Sequence, residues 1–128
     1  MAAKLPRPTD SELEILTVLW SLGPSTVRDL HTAIESSKPT QYTTVLKLLQ
    51  IMTDKGLVRR DESQRAHIYE AAQPKEVTQR QLAGDLLTRA FNGSAQSLMM
   101  GALSAGKTSK KELSELRKLL DEYEKGTR

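Results

Sequence analysis

Lys55-Gly56-Leu57-Val58-Arg59-Arg60, then Asp61-Glu62-Ser63-Gln64-Arg65, then Ala66-His67-Ile68-Tyr69-Glu70 is where the periodicity of the chain changes. Leu57–Arg60 and Ala66–Glu70 read as two short strands, and the polar stretch 61–65 reads as the loop between them. Gly56 after Lys55 is a helix-ending signal: glycine supplies a left-handed C-cap, and a lysine charge suits a helix C-terminus.

Upstream of this hairpin the pattern is helical. Thr9-Asp10-Ser11-Glu12 has the spacing of a capping box, with Leu13, Leu16 and Trp20 behind it, supported by Ile15 and Leu19. Gly23-Pro24 stops that helix, and Ser25 or Thr26 can cap the next, with Asp29 in its first turn. Val27, Leu30 and Ile34 form its apolar stripe. A third helix is expected from Pro39 or Thr40, with Val45, Leu48, Leu49 and Met52 inward. Three short helices followed by a two-stranded hairpin form a winged helix-turn-helix. The fold class expected is therefore mostly α, with a winged helix over residues 1–73.

Downstream, Pro74 marks a boundary, and residues 74–128 read as three more helices. The first covers 75–91, the second Ala95 to Leu103, and the third about Ser109 to Lys125, with breaks at Asn92-Gly93-Ser94 and from Gly106. A region this short is marginal for an independent core, and a second copy is the usual remedy. The residues assigned to a dimer interface are Leu82, Leu86, Phe91, Leu98, Met99, Leu103, Leu113, Leu116, Leu120 and Tyr123.

Composition narrows the function. The 128 residues contain no cysteine, which excludes disulfide scaffolds, thiol nucleophiles and cysteine zinc sites. Aromatics are only 4%, so the core rests on aliphatic residues. The N-terminus Met1–Pro6 has no signal-peptide core, and no stretch is long and apolar enough to span a bilayer, so a cytoplasmic protein without direct membrane insertion is expected. Net charge is +3. Residues 1–73 are balanced, with nine Lys/Arg against nine Asp/Glu, so the surplus lies in the second half. Any nucleic-acid role must rest on where individual charges sit.

The candidate readers of DNA lie at the start of the third helix: Thr40, Gln41, Tyr42, Thr43, Thr44 and Lys47. Glutamine can bond adenine edges, threonine offers a methyl to thymine or a hydroxyl to phosphate, and lysine reaches guanine or phosphate. Helix capping and propensity account for several of these residues equally well. Arg60, Arg65 and His67 are the candidates on the hairpin, for phosphate. Arg59 and Arg60 could instead pair with Asp61 and Glu62, which leaves Arg65 as the favoured contact. His31 and His67 show no carboxylate or second histidine at ligand spacing, so no metal and no cofactor is expected. No nucleophile–base pair and no phosphate-cradling glycine loop occurs, so an enzyme is not expected.

Several runs in order resemble one family. They are Thr9–Leu16 with Trp20, Pro24–Leu30, Thr43-Thr44-Val45 with Leu49, Lys55–Val58, Arg65–Tyr69, and Phe91–Ser94 with Ser97-Leu98. Together they cover about residues 7 to 124 and are similar to the penicillinase repressor family, the BlaI/MecI/CopY group. The resemblance implies a homodimeric winged-helix repressor that binds inverted-repeat promoter operators and controls β-lactam resistance or related stress genes. It also implies a membrane metallopeptidase sensor system as a partner, acting by cleavage in the dimerisation region. Gly101-Ala102 stand where cleaved relatives carry Asn-Phe, Ile51 where relatives often carry Arg, and Lys47 where many carry Thr. The competing reading is a winged-helix protein-interaction module without sequence-specific DNA binding, which the balanced charge of the first half favours.

Overall fold

The computed structural model describes residues 5–126; Met1–Lys4 of the expected leader-free N-terminus lie outside them. Helix α1 (Asp10–Leu22), α2 (Val27–Glu35) and α3 (Tyr42–Lys55) precede the antiparallel strands β1 (Val58–Asp61) and β2 (Ile68–Ala71). Helices α4 (Lys75–Arg89), α5 (Ala95–Ala105) and α6 (Lys110–Gly126) follow. This is the expected order of a winged helix-turn-helix followed by a helical region.

The expected caps account for the first two helix starts. Thr9 accepts from the Glu12 amide while the Glu12 carboxylate accepts from the Thr9 amide, at 3.2 and 2.9 Å. Thr26 and Asp29 make the same reciprocal box on α2. Each box satisfies donors that the helix itself leaves free. Gly23 stops α1 at φ 84°, ψ −167°, a backbone region that essentially only glycine enters without strain. Gly56 ends α3 at φ 86°, ψ 16°, and its amide reaches back to the Met52 carbonyl.

Ser25 is not the cap; Thr26 is. Ser25 instead bridges to Tyr69, its amide donating to the Tyr69 carbonyl at 2.9 Å and its carbonyl accepting from the Tyr69 amide at 2.7 Å. A single extended residue between α1 and α2 thus lies beside the hairpin like a one-residue third strand. It pins the hairpin to the helices at a tyrosine that is itself 1% exposed.

The core gathers Ile15, Leu16 and Leu19 from α1, Val27, Leu30 and Ile34 from α2, Val45, Leu49 and Met52 from α3, then Leu57, Val58 and Tyr69. Each fully buried aliphatic side chain stabilises the fold by about 1.5–3 kcal/mol. The buried face of α1 is rotated from the expected Leu13–Leu16–Trp20 stripe. Leu13 and Trp20 are only half-buried, while Glu12 is buried. Two polar contacts explain this. Lys55 Nζ lies 2.7 Å from Glu12 Oε1 and neutralises the carboxylate, and the Trp20 indole donates to the Gln73 carbonyl at the rim of the core.

Contacts divide the chain into two compact units, the first ending at Leu82 and the second beginning at Ala83. Every buried side chain among the described residues belongs to the first unit. In the second, Phe91, Leu98, Met99, Leu113 and Leu116 are half-buried, while Leu86, Met100, Leu103, Leu119, Leu120 and Tyr123 are exposed. Among the described residues, no helix is long and apolar enough to cross a membrane.

Candidate nucleic-acid interface

Helix α3 starts at Tyr42, two residues after Thr40 and three after Pro39. The reason is local: Thr40 turns its backbone and side chain to other partners. Its hydroxyl donates to the Lys38 carbonyl at 2.9 Å, and its own carbonyl lies 2.6 Å from His31 Nε2. Gln41 becomes the N-cap, in extended geometry and with no side-chain cap bond. The first amides of α3 are therefore left without the side-chain acceptor that α1 and α2 possess.

His31 corrects another expectation. It has a carboxylate at helical spacing after all, since Glu35 Oε2 lies 2.6 Å from the same Nε2. With two acceptors on it, Nε2 carries the proton and donates. The ring also meets Tyr42 edge-on, with centroids 5.6 Å apart. His31 thus joins α2 to the residues that open α3. No group of histidines and carboxylates that could hold a metal occurs among the described residues.

From this start α3 separates two faces. Val45, Leu49 and Met52 are at most 1% exposed, whereas Gln41, Tyr42, Thr43, Thr44 and Lys47 face solvent. Thr40 is half-buried, and its hydroxyl and carbonyl are engaged within the protein.

On the hairpin, the pairing of charges differs from the expected turn. Arg59 crosses the ladder to its register partner Glu70 at 3.1 Å and also donates to the Ala72 carbonyl. Arg60 pairs with Glu62 at 2.7 Å. Its neighbours Tyr69 and Glu62 raise its pKa above the ordinary guanidinium value. Asp61 pairs with neither arginine. The Ser63 side chain and amide bond to it and lower its pKa. His67 was expected in a strand and lies just before β2, exposed, because the ladder closes at Asp61 opposite Ile68. Arg65 is exposed and makes no ion pair among the described residues.

A groove of about 460 Å³ brings several of these residues together. Thr26 and Arg28 from the start of α2, Tyr42 and Leu46 from α3, and Arg65 and His67 from the hairpin line it. Arg28 was not among the residues singled out from the sequence. The signal was present: a cation in the first turn of a helix opposes the helix dipole, so local stability does not account for it. Among the described residues Arg28, Lys47 and Arg65 have no ion-pair partner, whereas Lys38, Lys55, Arg59 and Arg60 are all paired. A first half with no net charge therefore still presents uncompensated cations around α3 and the groove.

The comparisons with known proteins agree with this architecture. The penicillinase repressor profile matches residues 8–122. The chain is 33% identical over 126 residues to the transcriptional regulator BlaI of Mycobacterium tuberculosis, spanning 97% of this chain and 90% of that protein. It is 22% identical over 120 residues to the penicillinase repressor of Bacillus licheniformis, at 94% of each. In fold it is similar to the solution structure of the DNA binding domain of the repressor BlaI, with a TM-score of 0.51 at 19% identity, over 58% of this chain and 90% of that one. The family is one of regulators rather than enzymes. This chain belongs to the penicillinase repressor family of winged-helix transcriptional regulators.

Proposed function

We propose that this protein represses transcription by binding inverted-repeat operators as a homodimer. Residues 1–73 act as the DNA reader and residues 74–128 as the dimer clamp. The observation that carries the reading is the set of uncompensated cations, Arg28, Lys47 and Arg65, placed around an exposed polar helix start. Helix α3 enters a major groove, with Gln41, Thr43, Thr44 and Lys47 toward base edges and Tyr42 at the flank. Arg65, His67 and Arg28 take the phosphate backbone. Thr40 contributes through the geometry of the helix start, and Arg60 reaches phosphate only by leaving Glu62.

The second unit supports the dimer. It buries no side chain among its described residues and leaves Leu86, Leu103, Leu120 and Tyr123 exposed. A unit without a core of its own gains most from a second copy that covers those apolar faces. Phe91, Leu98, Met99, Leu113 and Leu116 then complete the shared core, with Leu82 at its edge. The names of the penicillinase repressors of Bacillus licheniformis and Staphylococcus aureus extend the proposal to genes of β-lactam resistance or related stress. A membrane metallopeptidase sensor system is the corresponding upstream partner, and the cytoplasm the corresponding compartment.

Selection from a random-sequence duplex library tests this reading. Two-fold protein symmetry predicts a selected site with inverted half-sites whose centres lie about one helical turn apart, roughly 10 base pairs. Enrichment of no site, or of one with no internal symmetry, counts against it.

A further inference from the structure

Helix α3 carries a large apolar side chain, Ile51, at the edge of its exposed face. Ile51 is 40% exposed, one turn beyond the exposed Lys47. At 100° per residue it lies within about 20° of Thr44 and about 40° of Lys47 around the helix axis. Thr44, Lys47 and Ile51 therefore form one exposed ridge, on a different face from the buried Val45, Leu49 and Met52. A β-branched residue is a weaker helix former than the straight-chain polar residues that suit a solvated position. The 40% of Ile51 that stays in water gains free energy only from an apolar partner.

In the major groove the apolar feature of a base-pair edge is the C5-methyl of thymine. We infer that Ile51 is a specificity-determining residue that reads a thymine methyl in each half-site; this rests on the proposal that α3 enters a major groove. The rise from Lys47 to Ile51 is about 6 Å along the helix. With α3 lying along the groove, the methyl sits roughly two base pairs from the position that Lys47 reaches. The ridge then divides the work: Thr44 and Lys47 supply hydrogen bonds and charge, and Ile51 supplies shape and apolar contact.

The test uses the full chain and the inverted repeat that the library selection yields. Deoxyuridine replaces thymidine at one symmetric pair of positions at a time, which removes only the methyl group. Wild type and Ile51→Ala are titrated on each duplex. Circular dichroism confirms that the variant keeps its fold, as an exposed position should. At one position per half-site, loss of the methyl is expected to weaken wild type about fourfold per contact, the equivalent of exposing one buried methyl. The Ile51→Ala protein is expected to be insensitive at that position and to respond like wild type at the others. A wild type that binds its site but shows no position where sensitivity depends on Ile51 overturns this inference alone. A selected site with no thymine in either half does the same. A wild type that binds no inverted repeat overturns this inference and the repressor reading together.

Discussion

His31 Nε2 stands 2.6 Å from the Thr40 carbonyl oxygen, so a side chain of α2 holds the backbone that opens α3. Glu35 shares that proton, and Tyr42 packs edge-on against the ring. Helix α3 is thereby fixed where its candidate reading residues begin. Replacing His31 by Ala removes the donor and leaves a half-buried carbonyl unsatisfied. One net hydrogen bond is worth about 1 kcal/mol, so His31→Ala is expected to weaken operator binding roughly fivefold while the protein stays folded. His31→Gln, whose side-chain amide can donate to the same carbonyl, should recover part of the loss in a fluorescence anisotropy titration. Equal affinity of the Ala variant and wild type would show that this bond does not position α3.

A second prediction concerns charge. Lys47→Ala and Arg65→Ala are each expected to weaken DNA binding with unchanged thermal stability, because neither side chain has an ion-pair partner within the described protein. If Arg65 contacts phosphate, its removal from both protomers reduces the slope of log affinity against log salt by about 2. Arg60→Ala should have the smaller effect, since Arg60 is already bound to Glu62. Affinities of both primary variants at the wild-type level would refute the assignment of these two residues.

The ion pair between Glu12 and Lys55 predicts how stability responds to acid. Burial alone would raise the Glu12 pKa. The Lys55 ammonium and the Thr9 amide and hydroxyl outweigh burial and hold it below the ordinary carboxylate value of 4.5. A carboxyl whose pKa is depressed in the folded state contributes stability above its unfolded pKa. That contribution is lost as pH falls from about 4.5 through the lower folded value. Lys55→Met removes the partner of a buried carboxylate and should cost roughly 2–3 kcal/mol near neutral pH. Urea titrations across pH 3 to 7 should show the wild-type advantage shrinking toward the acid end. A constant difference between the two proteins over that range would contradict this account.

Sequence pattern revealed the local features of this fold and missed those that join distant residues. Both capping boxes, the Gly56 stop and the apolar stripes of α2 and α3 were visible because each depends on residues within one or two turns. The Ser25–Tyr69 bridge was not, because a single extended residue leaves no periodicity. The burial of Glu12 was hidden for a similar reason: its partner Lys55 comes from another helix. In the candidate interface, the exposed face of α3 followed from the inward stripe, and Arg65 followed from the charges around it. Arg28 needed the three-dimensional groove, and Thr40 falls before the helix start expected there because its contacts run to His31 and Lys38 rather than along a helix.

For the dimer, Leu116→Asp places a charge among the half-buried side chains of α6. Burying an unpaired carboxylate against apolar side chains costs several kcal/mol, which disfavours the dimer. The variant is expected to run as a monomer in analytical ultracentrifugation at concentrations where wild type is dimeric. Leu120→Asp, at an exposed position of the same helix, repeats the test without risk to the packing of α6. Dimeric mass for both variants would refute this interface.

The most direct test of the central claim is a titration of the full chain on its selected inverted repeat and on a scrambled duplex, at 50 and 200 mM salt. Two protomers each bringing Arg28 and Arg65 to phosphate make about four contacts, so affinity should fall roughly a hundredfold between those salt concentrations. The inverted repeat should hold its preference over the scrambled duplex throughout, with two chains per site. A flat salt response, or equal binding to both duplexes, would contradict the account.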